Sequence, residues 1–325
     1  MNDMIINFAR LYTDIIDDFE IKSGGHNNIY IIKGSKNLAL RATPVSHRNF
    51  EEIRSEIDFM LYLKSNGVPL TTPIQGISGE YCYERHAENK DWIISAFEIA
   101  VGEDYWGRIE NPKRLFAVGK TLGKIHKFSK KYVPVGVEPR KQWHQNPYII
   151  KADKIFKEYD EQLFNVYQTY INKMANLPKD EDSFGLIHGD YIFANYFFDE
   201  NNITVFDFDN CEYSWFINDI AMWLVRFMIG AEPAKLNSRT EEAAEYFSIV
   251  LQGYLTENII TIEQIKNIDL FFKMTEYSLL VYNLERKSDG FSKWQSELID
   301  GILDRILNGK LFIDVDFVSI YRRIL

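Results

Sequence analysis

The sequence has few cysteines and no long apolar run. Two cysteines, Cys82 and Cys211, stand far apart in 325 residues. Their spacing matches no metal-ligand set, and two reduced thiols in a reducing compartment are expected. No stretch approaches the roughly 18 uninterrupted apolar residues of a membrane-spanning helix. The opening, MNDMIINFARLYTDIIDDFE, lacks a basic segment and a continuous apolar core, which excludes a signal peptide as the expectation. A cytoplasmic protein without a membrane partner is expected. Basic residues are outnumbered, 37 Lys and Arg against 47 Asp and Glu, for a net charge of −10. That balance disfavours nucleic acid as a partner and suits a cationic small molecule. There is no internal repeat and no low-complexity segment.

Apolar residues make up 46% of the chain, enough for a sizeable core, and the length suits two lobes. The chemistry concentrates in residues 184–210, FGLIHGDYIFANYFFDENNITVFDFDN. Asp190 lies in His188-Gly189-Asp190, Asn195 follows five residues later, and Asp207 opens Asp207-Phe208-Asp209 after the apolar run Ile203 to Phe206. A carboxylate, an amide and a second carboxylate in this order are what phosphoryl transfer needs. One oxygen orients and deprotonates an attacking hydroxyl, and the other two groups hold magnesium on a nucleoside triphosphate. Asp and Asn are also common in turns, but three elements in order between strand-like runs are hard to obtain by chance.

The spacing matches the protein-kinase catalytic loop. Two differences from it, Gly189 where protein kinases carry Arg and Asp-Phe-Asp where they carry Asp-Phe-Gly, together with the sequence after Asp209, resemble the aminoglycoside phosphotransferase and choline kinase family. The resemblance is specific over 185–221 and diffuse elsewhere. It implies an α+β, two-lobed, protein-kinase-like fold with a small antiparallel-sheet N-lobe and a larger, mostly helical C-lobe, with ATP between them. The lobe boundary is expected near residue 98, giving an N-lobe over 1–97 and a C-lobe over 98–325.

Carried over residue by residue, the resemblance implies that Asp190 is the catalytic base. It makes Asn195 and Asp207 magnesium ligands, with Asp209 reaching a second metal through water. His188 holds the catalytic loop. Ala194 stands where the family usually has Gly. Tyr191-Ile192-Phe193 are bulkier than usual there, which suggests a cleft floor shaped for an unusual substrate.

Along the chain, Met4 to Phe19 reads as an amphipathic helix. Gly24 and Gly25 lie between β-prone runs and read as a hairpin, which in a kinase covers the ATP phosphates. A strand follows with Arg41, at the place of the kinase lysine that contacts phosphate, a role that Arg can keep. Residues 49–66 read as a helix. Its Glu56 is the expected partner of Arg41, with Glu51 and Glu52 as competitors; the pattern Leu63, Gly67, Val68, Pro69 after it favours Glu56. Phe97 and Ile99 belong to the segment that would bind adenine by backbone hydrogen bonds and apolar contact.

Pro112 to Lys131 reads as a helix, and its His126 as a buried structural histidine. Residues 132–150 read as a loop bordering the cleft, with Trp143 and His144 as substrate contacts. A single helix is expected over 153–175. The run Asn218-Asp219-Ile220-Ala221 is expected to begin an apolar helix, with Asp219 capping it and bonding the catalytic loop backbone. Further helices are expected over 241–255, 262–286 and 292–307.

The expected reaction is transfer of the γ-phosphate of ATP to a hydroxyl of a small, amino-bearing, cationic molecule. Glu212, Glu241, Glu242, Glu245 and Glu276 suit a cation, and Trp215, Trp223, Tyr277, Tyr282 and Trp294 are aromatics from which a cage could be built. A protein Ser/Thr kinase of the same fold and a nucleotide-binding pseudo-enzyme are the alternatives.

Overall fold

A computed structural model describes residues 2–23, 26–103, 111–230, 236, 239–286 and 290–325. The chain divides into two compact units. The first comprises residues 1–103, 132–140 and 196–209; the second comprises 104–131, 141–195 and 210–325.

The first unit opens with α1 (Asn2–Ala9), β1 (Ile16–Ser23), β2 (Asn28–Gly34), β3 (Leu38–Pro44), α2 (Phe50–Ser65), β4 (Cys82–Ala87) and β5 (Lys90–Phe97). The five strands form an antiparallel sheet in the order β1-β2-β3-β5-β4. Alternation along β3 places Leu38, Leu40 and Ala42 in one core with Met4, Ile5, Phe8, Ile32 and Ile94. The intervening positions, Arg41 and Thr43, are buried too. A second cluster joins Ile93 and Cys82 of the sheet to Ile53 and Ile57 of α2. α2 starts on a capping box, in which Asn49 and Glu52 satisfy each other's backbone N–H.

Expected and observed elements differ at the start of the chain. The helix read over Met4 to Phe19 ends at Ala9, and Phe19 lies in β1. Asp17, Asp18 and Glu20 are interspersed with apolar residues at a spacing that fits an edge strand as well as a helix.

The second unit contains α3 (Pro112–Ser129), α4 (Pro147–Tyr159), α5 (Glu161–Ala175) and β6 (Phe184–Ile187). The hairpin β7 (Tyr196–Asp199) and β8 (Asn202–Val205) returns to the first unit. Val205 accepts from the Thr71 N–H and donates to the Pro69 carbonyl, and Glu103 pairs with Phe198. Residues 196–209 thus belong to the first unit although they follow residue 98 in the chain. The rest of the second unit is β9 (Glu212–Trp215), α6 (Phe216–Ile229), α7 (Thr240–Leu255), α8 (Ile262–Lys266), α9 (Ile268–Glu285), α10 (Lys293–Leu307) and α11 (Phe317–Ile324).

Close packing of α3 on α7 depends on glycine. A Cβ at Gly119 would collide with the Val250 carbonyl, and one at Gly253 with that of Phe116. The helix expected over 153–175 is two helices. Asp160 has an extended backbone and accepts from the Leu163 N–H at 2.7 Å, ending α4 and capping α5. The loop read over 132–150 contains the one-turn helix Trp143–Gln145 and the start of α4.

Candidate active site

In the second unit, β6 pairs with β9 through Ile187 and Glu212, which fixes where the chain leaves the sheet into His188-Gly189-Asp190. Gly189 has φ +76°, and a Cβ there would meet the Asn210 carbonyl oxygen, so both space and backbone demand glycine. Asp219, in the first turn of α6, accepts from the backbone N–H of His188 and of Gly189, both at 2.9 Å.

Asp219 is itself oriented by His126, whose Nε2 lies 3.1 Å from its Oδ2. Because an ionised carboxylate only accepts, Nε2 carries the proton and Nδ1 accepts from the Tyr254 hydroxyl at 3.0 Å. Burial, outweighing the Asp219 bond, lowers the His126 pKa and keeps the ring neutral. His188 is fully buried, and its Nδ1 accepts from the Asp190 N–H at 3.3 Å.

Asn195 closes a one-turn helix, Phe193–Asn195. Its amide nitrogen donates to the Asp190 carbonyl at 2.9 Å and to Asp190 Oδ2 at 3.0 Å. The Asn195 oxygen is therefore the atom left to accept or to ligate, and Asp190 Oδ1 has no partner among the described residues. Burial raises the Asp190 pKa; Arg226, His188 and the Asn195 bond oppose it, and Asp219 adds to it.

In the first unit, Arg41 makes a bidentate ion pair with Glu56 at 2.8 and 2.7 Å. Both side chains are buried. Arg41 also donates to Ser95 at 3.3 Å and lies 4.8 Å from the centroid of the Phe97 ring. Burial alone would lower the Arg41 pKa; Glu56, with Asp209 and Asp207 adding to it, raises it instead. Asp207 follows β8 with φ +63°, a left-handed conformation that costs a non-glycine residue about 1 to 2 kcal/mol. Phe97 ends β5, and Ile99 is exposed beyond it. The intervening Glu98 N–H is already given to the Thr72 carbonyl at 2.9 Å. Gly24 and Gly25 lie outside the described residues.

The surroundings of Asp209 do not favour the metal role expected for it. Its Oδ1 accepts from Arg48 Nε and its Oδ2 faces His47 Nε2, each at 3.0 Å, and its carbonyl accepts from Arg140 at 2.7 Å. Burial would raise its pKa, but the His47 bond and the Arg48 charge hold it well below the carboxylate range. The ion pair thus adds stability that is full above the unfolded carboxylate value of about 3.9 and is lost as pH falls below it. Asp209→Asn is expected to flatten that acid arm of stability, as followed by thermal melts from pH 7 down to pH 3. An unchanged acid arm would contradict the pairing.

Other expectations about substrate contact change in the same way. Tyr191 is fully buried and donates to the Val118 carbonyl at 2.9 Å, so it belongs to the core rather than to a cleft floor. Trp143, Trp215, Trp223 and Tyr277 are all buried, and Arg286 covers a face of Tyr282 at 3.7 Å. These aromatics therefore form no cage. Glu276 is neutralised by Lys273 and Arg305, and Glu242 by Arg239. Sequence reasoning passed over Arg48 and Arg140, which hold Asp209, and Arg226, which lies seven residues after Asp219; only that helical spacing pointed to Arg226.

Residues 20–254 match the phosphotransferase enzyme family, well over half of the chain. The chain belongs to this family. As a family member it is a phosphotransferase, with the kinase-like fold. It is 22% identical over 310 residues to amicoumacin kinase of Bacillus subtilis (strain 168), covering 94% of this chain and 91% of that one. Among solved structures it is similar to an amicoumacin kinase in complex with AMP-PNP, Ca2+ and Ami, with a TM-score of 0.90 and 21% identity over 98% of this chain and 96% of that one. A microcompartment-associated aminopropanol kinase superposes with a TM-score of 0.74 and 18% identity, covering 94% and 98% of the two chains. Among the described residues, no helix of this phosphotransferase is long and apolar enough to cross a membrane.

Proposed function

We propose that this phosphotransferase moves the γ-phosphoryl group of ATP to a hydroxyl of a small, amino-bearing molecule, in the presence of a divalent metal ion. The observation that carries the reading is Asp190. One of its oxygens is held by Asn195 and the other is open, on a backbone clamped by Asp219.

The open oxygen accepts the proton of the acceptor hydroxyl. The hydroxyl oxygen then bonds to the γ-phosphorus as the bond to the β-phosphate oxygen breaks, and ADP leaves with that electron pair. Arg41, fixed by Glu56, is the proposed phosphate contact. Asn195 and Asp207 are the proposed metal ligands. Both offer hard oxygen donors, as magnesium and calcium require, and a nucleotide-bound metal needs only one or two protein oxygens besides phosphate and water. Among the described residues there is no cluster of three or more His, Cys, Asp or Glu able to hold a metal. That fits a metal shared with the nucleotide rather than caged by protein. The bound metal would neutralise charge on the phosphates. Phe97 and Ile99 are the proposed adenine contacts, and Gly24 and Gly25 the proposed phosphate cover. ATP use fits work in the cytoplasm.

An amino-bearing acceptor is favoured by the relatives, which are named for amicoumacin and aminopropanol. The reading is tested by incubating the protein with ATP and magnesium against a panel of amino alcohols, choline, homoserine and aminoglycosides, and detecting phosphomonoesters by 31P NMR. One strongly phosphorylated acceptor is expected. Phosphate appearing on protein serine or threonine instead would overturn the small-molecule reading.

A further inference from the structure

We propose that a cleft between α5 and α9 binds a small zwitterion, a molecule carrying a primary ammonium and an anionic group a few bonds apart. The cleft lies in the second unit and is lined by none of the candidate active-site residues. The proposal therefore stands apart from the phosphotransfer reading.

The cleft has a volume of about 710 Å3. α5 contributes Tyr170 and Lys173, α9 contributes Asp269, Leu270 and Lys273, and Leu311 comes from the segment after α10. Asp269 and Lys273 stand four residues apart on α9, which puts them on one helix face, and Glu276 follows on that face seven residues after Asp269.

The charges of this face do not close within the protein. Glu276 is fully buried and is shared by Lys273 and by Arg305 of α10, two buried cations on one carboxylate. Asp269 does not complete the balance. It accepts no hydrogen bond and enters no ion pair among the described residues, and its Oδ1 is buried. Burial raises its pKa, and the Lys273 charge opposes the rise. Lys273 gives one N–H, to Glu276 at 2.9 Å, where an ammonium has three to give. Lys173 forms no ion pair among the described residues and lies 5.1 Å from the centroid of the Tyr170 ring. Lys266 and Lys310, also on the cleft walls, are already paired with Glu263 and Asp304.

A buried acceptor without a donor is costly, and a donor that carries charge is its best remedy. A ligand ammonium at Asp269 supplies that donor, while the ligand's anionic group takes N–H groups of Lys273 and Lys173. The opposite charges of Asp269 and Lys273, side by side but unpaired, match a molecule whose own charges are close together and in the reverse order. Leu270, Leu311 and the Tyr170 ring add apolar contact for a side chain. Two kinds of compound carry this chemistry, a free amino acid and a phosphorylated amino alcohol.

The test uses the full chain, titrated calorimetrically with L-leucine and with O-phosphoethanolamine, which separate a carboxylate from a phosphate as the anion. The controls keep one charge each: 4-methylpentanoate and 3-methylbutylamine for the first, ethyl phosphate and ethylamine for the second. At least one zwitterion is expected to bind about tenfold or more tightly than its two controls, each of which lacks one charge-assisted hydrogen bond. Asp269→Asn is expected to weaken binding by about the same factor. It should leave the melting temperature near that of the wild type, because the carboxylate it replaces makes no bond. Lys173→Ala, a change at the exposed rim, should weaken binding by a smaller factor.

No binding of either zwitterion would overturn the proposal and leave water as the partner of Asp269. So would controls that bind as tightly as the zwitterions. Binding unchanged in both Asp269→Asn and Lys173→Ala would place the ligand elsewhere and overturn it equally.

Discussion

Replacing Asp190 by alanine is expected to lower kcat about 100- to 10,000-fold, the range typical of removing a general base. Nucleotide affinity should be nearly unchanged. The separation follows from the residue's surroundings. Its neighbours are Asn195, the His188 ring and the clamped backbone of its own unit; the one bond its carboxylate accepts is from the Asn195 amide, which also keeps its bond to the Asp190 backbone carbonyl. The side chain is half-buried and ionises against the cost of burial, which raises its pKa. Alanine removes that cost together with the carboxylate, so the fold should not suffer. Kinetics at saturating ATP, paired with titration of a fluorescent nucleotide, measure the two quantities separately. Unchanged turnover would remove Asp190 from the chemistry.

The second large effect is on stability. Glu56→Ala is expected to cost about 3 to 5 kcal/mol, because it leaves the Arg41 guanidinium buried beside Ser95 without its hydrogen-bonded carboxylate partner. The pair lies between the sheet and α2, both oxygens of Glu56 are engaged, and its side chain is fully buried. A double variant, Arg41→Met with Glu56→Leu, should cost less than Glu56→Ala alone, since removing both charges leaves no buried ion. Urea unfolding of the three proteins decides it. A double variant no more stable than the single would mean that the pair contributes packing rather than compensated charge. Either change should also weaken nucleotide binding if Arg41 contacts phosphate.

The parts of the fold legible in the sequence are those specified locally. The catalytic loop could be read because His188, Gly189, Asp190 and Asn195 lie within eight positions of one another and the glycine among them is required. The helices carrying Glu56 and His126 show apolar spacing and a cap residue, Asn49 and Asn111, within a single window; the helix carrying Asp219 starts earlier, at Phe216, without a side-chain cap, so Asp219 lies in its first turn rather than at its cap. What could not be read depended on distant partners. Asp209 resembles a second metal ligand in sequence. In the fold, the left-handed turn at Asp207 precedes it, and it is held by Arg48 and His47 from far back in the chain.

Glu276 looked like an acceptor anion but is neutralised by Arg305, 29 residues on. Of the tryptophans read as cage material, Trp215 and Trp223 are core and Trp294 is exposed, because an aromatic on a helix gives no sequence sign of which face is covered. The break between α4 and α5 has no glycine or proline to announce it; one aspartate serves as the end of the first helix and the cap of the second. The hairpin 196–205 carries Asp207 and Asp209 back to the sheet unit, a return that no linear boundary expresses.

The central claim is that one phosphoryl group passes from the nucleotide to an acceptor hydroxyl through Asp190. The most direct measurement is the stoichiometry of ADP formed to phosphorylated amino alcohol, in wild type and in Asp190→Asn, with magnesium present. One ADP per phosphomonoester in the wild type, and neither product above background in the variant, is the predicted result. Tight nucleotide binding without acceptor-stimulated ADP formation across the panel would contradict the claim, and would leave a phosphotransferase fold used for nucleotide binding alone.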